Sequence, residues 1–293
     1  HALAGRASMN GGESWVYCDA SEALDTNYSL NSELTVEVLP NPCVTIGCGS
    51  PPESSCGDDG VEILLVSDEQ GSCVVSEGEA LCDYGVTLGD CGLFGQVCTP
   101  GEGCGGSAEM PTQVGDVVIS ELMIKPMQAV LPTGQWLELS NTTSTPLGLT
   151  GCRIEVGDLW SATIDTPLVI GSHGHRVLGR LDVLAANGGV TIDWAWGNQL
   201  EFPSVSGAVS VVCDDLVVDS LTYAAAEGWP SDVGRSMSLS PFRLDFGLND
   251  EPDNWCHGAP TYGAGDKGTP GEANPPCPGD VDPVEACYVA NSE

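Results

Sequence analysis

Apolar and polar positions alternate over short stretches of this chain, and long helical runs of Ala, Leu, Glu and Lys are missing. The pattern is clearest in the second half. Val117-Val118-Ile119-Ser120-Glu121-Leu122-Met123 predicts a strand, and Trp136-Leu137-Glu138-Leu139 alternates. Further strands are predicted at Leu147–Val156, Arg176–Leu178, Val190–Trp194, Val209–Cys213, Leu216–Tyr223 and Met237–Leu239. About seven or eight short strands with turn residues between them is the pattern of a β-sandwich. Trp136 is expected in the core between two sheets, and Glu138 shares its face only if that face is partly open.

The first half is less regular. Leu34–Leu39, Val61–Val66 and Tyr84–Leu88 read as short strands punctuated by Gly, Asp and Ser, so small antiparallel sheets are expected there. The first thirty or so residues carry one alternation, around Trp15 to Tyr17, which reads as an edge strand. Gly 38 and Pro 20 add many turns. The small, polar stretch GCGGSAEMPTQVGD places a boundary near residues 105–115. Three parts are therefore expected: a cysteine-rich β domain over 1–105, a sandwich over 116–277 and a tail over 278–293.

Cysteine changes the picture most. There are 14 and no CxxC, so zinc, iron–sulfur and haem attachment are disfavoured and disulfides are expected. Each bridge is worth about 2–4 kcal/mol, mostly by restricting the unfolded chain. Nine precede residue 105: Cys18, Cys43, Cys48, Cys56, Cys73, Cys82, Cys91, Cys98 and Cys104. Five follow residue 150: Cys152, Cys213, Cys256, Cys277 and Cys287. Both sets are odd, so full pairing needs a bridge between the halves or between subunits; Cys287, the late outlier, is the candidate.

The net charge is −34, spread over both parts, which argues against nucleic acid and anionic lipid as partners. There is no apolar run of about 20 residues for a membrane span. The chain starts at His1, and a processed, extracellular or cell-surface chain is expected after removal of a signal peptide.

The second half resembles the lamin-tail domain, in the form found in secreted bacterial proteins. Val118–Met123 looks like that family's opening strand. Gly134-Gln135-Trp136-Leu137-Glu138-Leu139-Ser140-Asn141 looks like its GEWVELYN strand, with Gln135 where the family usually has Glu, and Leu147–Gly151 follows. Asn187-Gly188-Gly189-Val190 resembles its mid-domain turn, and Gly234–Leu239 and Asn249–Cys256 its closing strands. Gly268-Thr269-Pro270-Gly271 to Asn274 resembles its terminal signature. The resemblance covers roughly 116–277 and implies an immunoglobulin-like sandwich that serves mostly as an interaction module. Within that frame Cys152–Cys213 and Cys256–Cys277 are the favoured bridges. The fold class expected for the whole is all-β, a disulfide-rich N-terminal β domain followed by an immunoglobulin-like β-sandwich.

Chemistry-bearing motifs are few. The four histidines form no HExxH, GxSxG and Walker motifs do not occur, and no GxGxxG follows a predicted strand. His173-x-His175 sits in a turn without an evident third metal ligand, and His1 lacks the second histidine that copper chelation of a redox enzyme would need. Acidic loops at Asp58-Asp59, at Asp250 to Asp253 and at Asp280 to Asp282 offer hard oxygens for weak calcium sites, though none matches an EF-hand. Sequons occur at Asn27 and Asn141, the second inside a strand end and so expected to be unused. No cofactor is expected beyond calcium. The favoured reading is a secreted, non-enzymatic structural or adhesive protein. It would self-assemble, or bind other extracellular proteins, through strand exchange, with the segment before Cys43 as donor. The alternatives are a monomeric glycan- or protein-binding module and an enzyme with an unrecognised site.

Overall fold

The computed structural model describes residues 43, 47–66, 70–76, 79–100 and 102–280, together with the backbone of the strands Ala2–Met9, Gly12–Asp19 and Glu37–Pro40. The chain is all-β, and among the described residues helix is confined to single turns such as Leu184–Asn187. It divides into two compact units. One holds residues 1–53 and 65–87, the other residues 54–64 and 88–293.

In the first unit, Ala2–Met9 lies between Gly12–Asp19 and Glu37–Pro40 in an antiparallel three-stranded sheet. Trp15 thus lies on an edge strand, as its local alternation suggested. A hairpin of Ser72–Ser76 and Glu79–Asp83 sets Cys73 directly opposite Cys82. The two do not join each other. Cys73 bridges Cys43, and Cys82 bridges Cys48. Val74 and Leu81, also opposed, are 40% and 50% exposed, so covalent bonds rather than apolar burial hold this hairpin.

The second unit repeats the device. Val97–Thr99 pairs with Gly103–Gly105, with Cys98 opposite Cys104. Cys98 bridges Cys56 and Cys104 bridges Cys91. This cysteine-rich stretch belongs to the same compact unit as the larger sheets, so the division does not fall at residues 105–115. The reason is a set of specific contacts. The Ser172 amide donates to the Asp59 carbonyl, and the Arg176 guanidinium, 8% exposed, meets Asp90 at 2.8 Å while donating to the Val169 carbonyl. Arg176→Ala leaves the Val169 carbonyl and the partly exposed Asp90 carboxylate without this cation. Urea unfolding is expected to show a loss of about 1–3 kcal/mol, because one buried charge partner is gone and the other is partly hydrated.

Two larger sheets share one hydrophobic core. The first runs in the order Trp194–Ala195, His175–Gly179, Trp136–Asn141, Val117–Met123, Met237–Leu239, Trp255–His257. The second runs Trp160–Thr163, Arg153–Val156, Ser206–Cys213, Leu216–Ala224. Leu137 and Leu139 from one sheet and Ile154, Val209, Val211 and Leu221 from the other belong to the same buried cluster. Cys152 and Cys213 are joined inside this core, and Cys256 joins Cys277; these are the two pairs that the sequence favoured. Four bridges thus lie among residues 43–104 and two among 152–277. The side chain of Cys18, and Cys287 with its expected role of joining the halves, lie outside the described residues.

Two strand readings change. Leu147–Val156 is not one strand but two, Leu147–Gly148 and Arg153–Val156, broken where Gly151 takes φ +91, a conformation in which a Cβ is strained. The break passes the chain from a small pairing with Val169–Ile170 into the second sheet. Val190–Trp194 is also mostly loop, with only Trp194–Ala195 adding to the sheet edge.

Trp136 corrects a third expectation. It is buried, but not between the sheets: it groups with Met123, Val177 and Val190 on the outer face of the six-stranded sheet. Its indole donates to the Tyr262 hydroxyl at 3.1 Å and meets that ring edge-on. Leu137 and Leu139 take the inter-sheet positions instead. The outer face is covered by returning chain, so both faces of this strand are buried and alternation alone does not say which faces the second sheet.

Candidate functional site

A β-bulge creates the most unusual feature of the outer face. Val117–Met123 pairs with Trp136–Asn141, but the register shifts between Ile119 and Glu121. Ile119 faces the core; without the shift, the period of two would send Glu121 there as well. The extra residue, Ser120, turns Glu121 and Met123 outward, opposite Glu138 and Trp136. Two carboxylates are therefore cross-strand neighbours with no exposed surface. Such a like-charge pair is costly unless hydrogen-bonded.

Donors surround both. Glu121 accepts from the hydroxyls of Ser236 and Ser238, and from the Thr269 amide at 3.1 Å. Glu138 accepts from the Ser120 hydroxyl at 2.7 Å and the Gly271 amide at 2.8 Å, and lies 3.3 Å from His175 Nδ1. Asn274 completes the set: its amide donates to the carbonyls of Ser120 and Leu239, and its oxygen accepts from the Thr269 hydroxyl. The segment 268–274 is thereby clasped onto the sheet by side chains rather than by a strand ladder. Burial, then the charge of Glu138, pushes the Glu121 carboxyl up from 4.5 to about 7, against the pull of its hydroxyl and amide donors. Near neutral pH the two carboxyls thus carry less than two full charges between them.

Beside the clasp lies a cleft of about 180 Å³, whose lining includes Ser140, His173, His175, Leu239, Pro241 and Leu244. A nucleophilic site would need Ser140 on one imidazole nitrogen and an acid on the other. Here the Ser140 hydroxyl lies 2.8 Å from His175 Nδ1, and Glu138 approaches that same nitrogen. A relay with serine and acid on opposite ring nitrogens is not formed.

No family model, curated protein or solved structure matches this chain.

The other sequence candidates are scattered. Asp59 Oδ1 accepts from the amides of Val61 and Glu62, shaping its own turn, while Asp58, Asp250 and Asp253 are exposed. Among the described residues, no three His, Cys, Asp or Glu side chains group as metal ligands would. His173 and His175 share the cleft wall without a third ligand. Asn141 is buried, and its amide donates to the carbonyls of Thr145 and Gly171, so this sequon is closed to modification in the folded chain. Asn27 and His1 lie outside the described residues. Sequence reading passed over Glu121 as a site residue because its hydrogen-bond donors come from positions more than a hundred residues away. No local spacing signals that.

Proposed function

We propose that this chain is an extracellular, non-enzymatic structural or adhesive protein, with a lamin-tail-like, immunoglobulin-type sandwich in its larger unit, that assembles with further copies through edge-strand pairing. Six described bridges favour an oxidising compartment. No helix among the described residues is long and apolar enough to cross a membrane. Three of the segments that carry the lamin-tail resemblance, Val118–Met123, Gly134–Asn141 and Gly268–Asn274, meet in the clasp, which supports that reading. The same clasp spends its carboxylates on backbone amides and hydroxyls, which favours a structural role over catalysis.

One observation carries the assembly reading. Trp160–Thr163 is an edge strand of the four-stranded sheet, with Trp160 40% exposed and Leu159, in the turn that leads into it, 87% exposed. An edge with large apolar side chains is a pairing surface. We prefer this edge to Ala2–Met9 as the pairing element, because Ala2–Met9 already has strand partners on both sides in its own chain. Light scattering after size exclusion, with negative-stain microscopy, is expected to show multimers at micromolar concentration. Leu159→Lys with Trp160→Lys should return the monomer, whereas deletion of residues 1–30 should leave the multimers in place. A sharp monomer of the unaltered chain, with or without calcium, would sink the reading and favour a monomeric binding module.

A further inference from the structure

Away from the clasp, a second buried acid lacks a partner of the right kind. Asp219, on the strand Leu216–Ala224, is 2% exposed, and Asn249 is wholly buried. They touch: Asn249 Nδ2 donates to Asp219 Oδ2 at 2.8 Å, and that oxygen also accepts from the Ile119 amide at 2.7 Å. The remaining oxygens, Asp219 Oδ1 and Asn249 Oδ1, are the buried side-chain atoms among the described residues that have no hydrogen-bond partner. Both are acceptors when the acid is ionised. Leaving two such atoms dry costs about 1–3 kcal/mol each. One added proton removes both deficits. A hydroxyl at Asp219 Oδ1 is a donor, Asn249 Oδ1 is the free acceptor on the group already bonded to the same carboxyl, and two planar groups joined this way form a ring of paired hydrogen bonds.

We infer that Asp219 is held as a neutral acid that donates to Asn249 Oδ1, and that this acid–amide pair is a proton-dependent latch fastening the segment 245–255 to the sandwich. Asn249 is the anchor of that segment: its amide donates to the Asp245 carbonyl, and its carbonyl accepts from the Trp255 indole at 2.7 Å. The electrical surroundings favour the neutral form. The charged groups of the segment that docks here are Asp245, Asp250, Glu251 and Asp253, with Asp116 in the turn before Val117; Arg243, the cation of the preceding turn, is not among the groups that act on Asp219. Burial first, with Asp250 adding to it, pushes the carboxyl up to about 7 despite the donors from Ile119 and Asn249 and the pull of the Ser220 amide. The sign follows from the raised value. The stabilisation is full below the ordinary aspartate range and is lost as pH rises through about 7, where ionisation sets an anion against the amide oxygen.

The alternative occupant is a buried water donating to both oxygens, which leaves Asp219 ionised. Asp219→Asn separates the two, because its amide donates where the acid hydroxyl would and does not titrate. The folding constant of Asp219→Asn relative to the unaltered chain is expected to rise about a hundredfold from pH 5 to pH 8, by linkage between a carboxyl near 4 unfolded and near 7 folded. Carbon-13 NMR of the aspartate carboxyls in the unaltered chain should show one buried group titrating near neutral pH, and that signal should be missing from Asp219→Asn. A pH-independent loss of stability in the variant, or every aspartate carboxyl ionised by pH 5, would overturn the inference. Should the variant not fold, the titration of the unaltered chain decides alone.

Discussion

Mild reduction is expected to unfold the cysteine-rich parts of this protein while the core between the large sheets persists. The bridges Cys43–Cys73 and Cys48–Cys82 close loops of 30 and 34 residues around a hairpin whose opposed Val74 and Leu81 are substantially exposed. Little apolar burial remains there once the bonds are cut, so a loss of about 2–4 kcal/mol per bridge exceeds what the hairpin can retain. Cys152 and Cys213 differ. Both have no exposed surface and sit within a core that includes Leu137, Leu139, Ile154 and Val211. A reductant reaches that bridge only when the core opens. Alkylation under a graded reductant, followed by peptide mapping, should label Cys43, Cys48, Cys73 and Cys82 first and Cys152 and Cys213 last. Equal labelling of all six would show that the hairpin is held by burial that its exposed side chains do not reveal.

That contrast also marks what was legible in the sequence. Val117–Met123 and Trp136–Asn141 were read because dense apolar positions in strand-length runs leave no other assignment. The bridges of the second half were legible because four cysteines there fall on or beside readable strands. The eight cysteines of 43–104 were not mapped, since Cys73 and Cys98 each face a cysteine across a hairpin and yet bond elsewhere. Spacing cannot state such a preference. The strand Trp160–Thr163 escaped because an edge exposes most of its side chains and loses the alternation that burial imposes. The clasp escaped for a different reason. It depends on a one-residue bulge at Ser120, set by what Glu121 can reach after folding, and the reading of Glu138 as sharing an open face missed the returning segment that covers it.

The clasp supplies the second large effect. Glu138→Ala is expected to cost about 3–5 kcal/mol, because Glu138 is fully buried and its removal leaves the Ser120 hydroxyl and the Gly271 amide without their acceptor. The segment 268–274 should loosen first, seen as faster hydrogen exchange at the amides of Thr269 and Gly271. Glu121 should behave in the opposite sense. Its carboxyl is raised from 4.5 to about 7, so its contribution is complete below the ordinary glutamate range and is lost as pH rises through neutrality. Stability of the unaltered chain should therefore rise on acidification from pH 8 to pH 5, where a protein with salt-bridged acids would weaken. Glu121→Gln carries the neutral form permanently and should remove on the order of 3 kcal/mol of that rise. Urea midpoints of the two chains across this range measure the difference directly. If Glu121→Gln follows the same pH profile as the unaltered chain but is less stable at every pH, Glu121 is ionised throughout. The hydroxyls of Ser236 and Ser238 and the amide of Thr269 would then have to offset the whole repulsion, and Ser238→Ala would become the more damaging change.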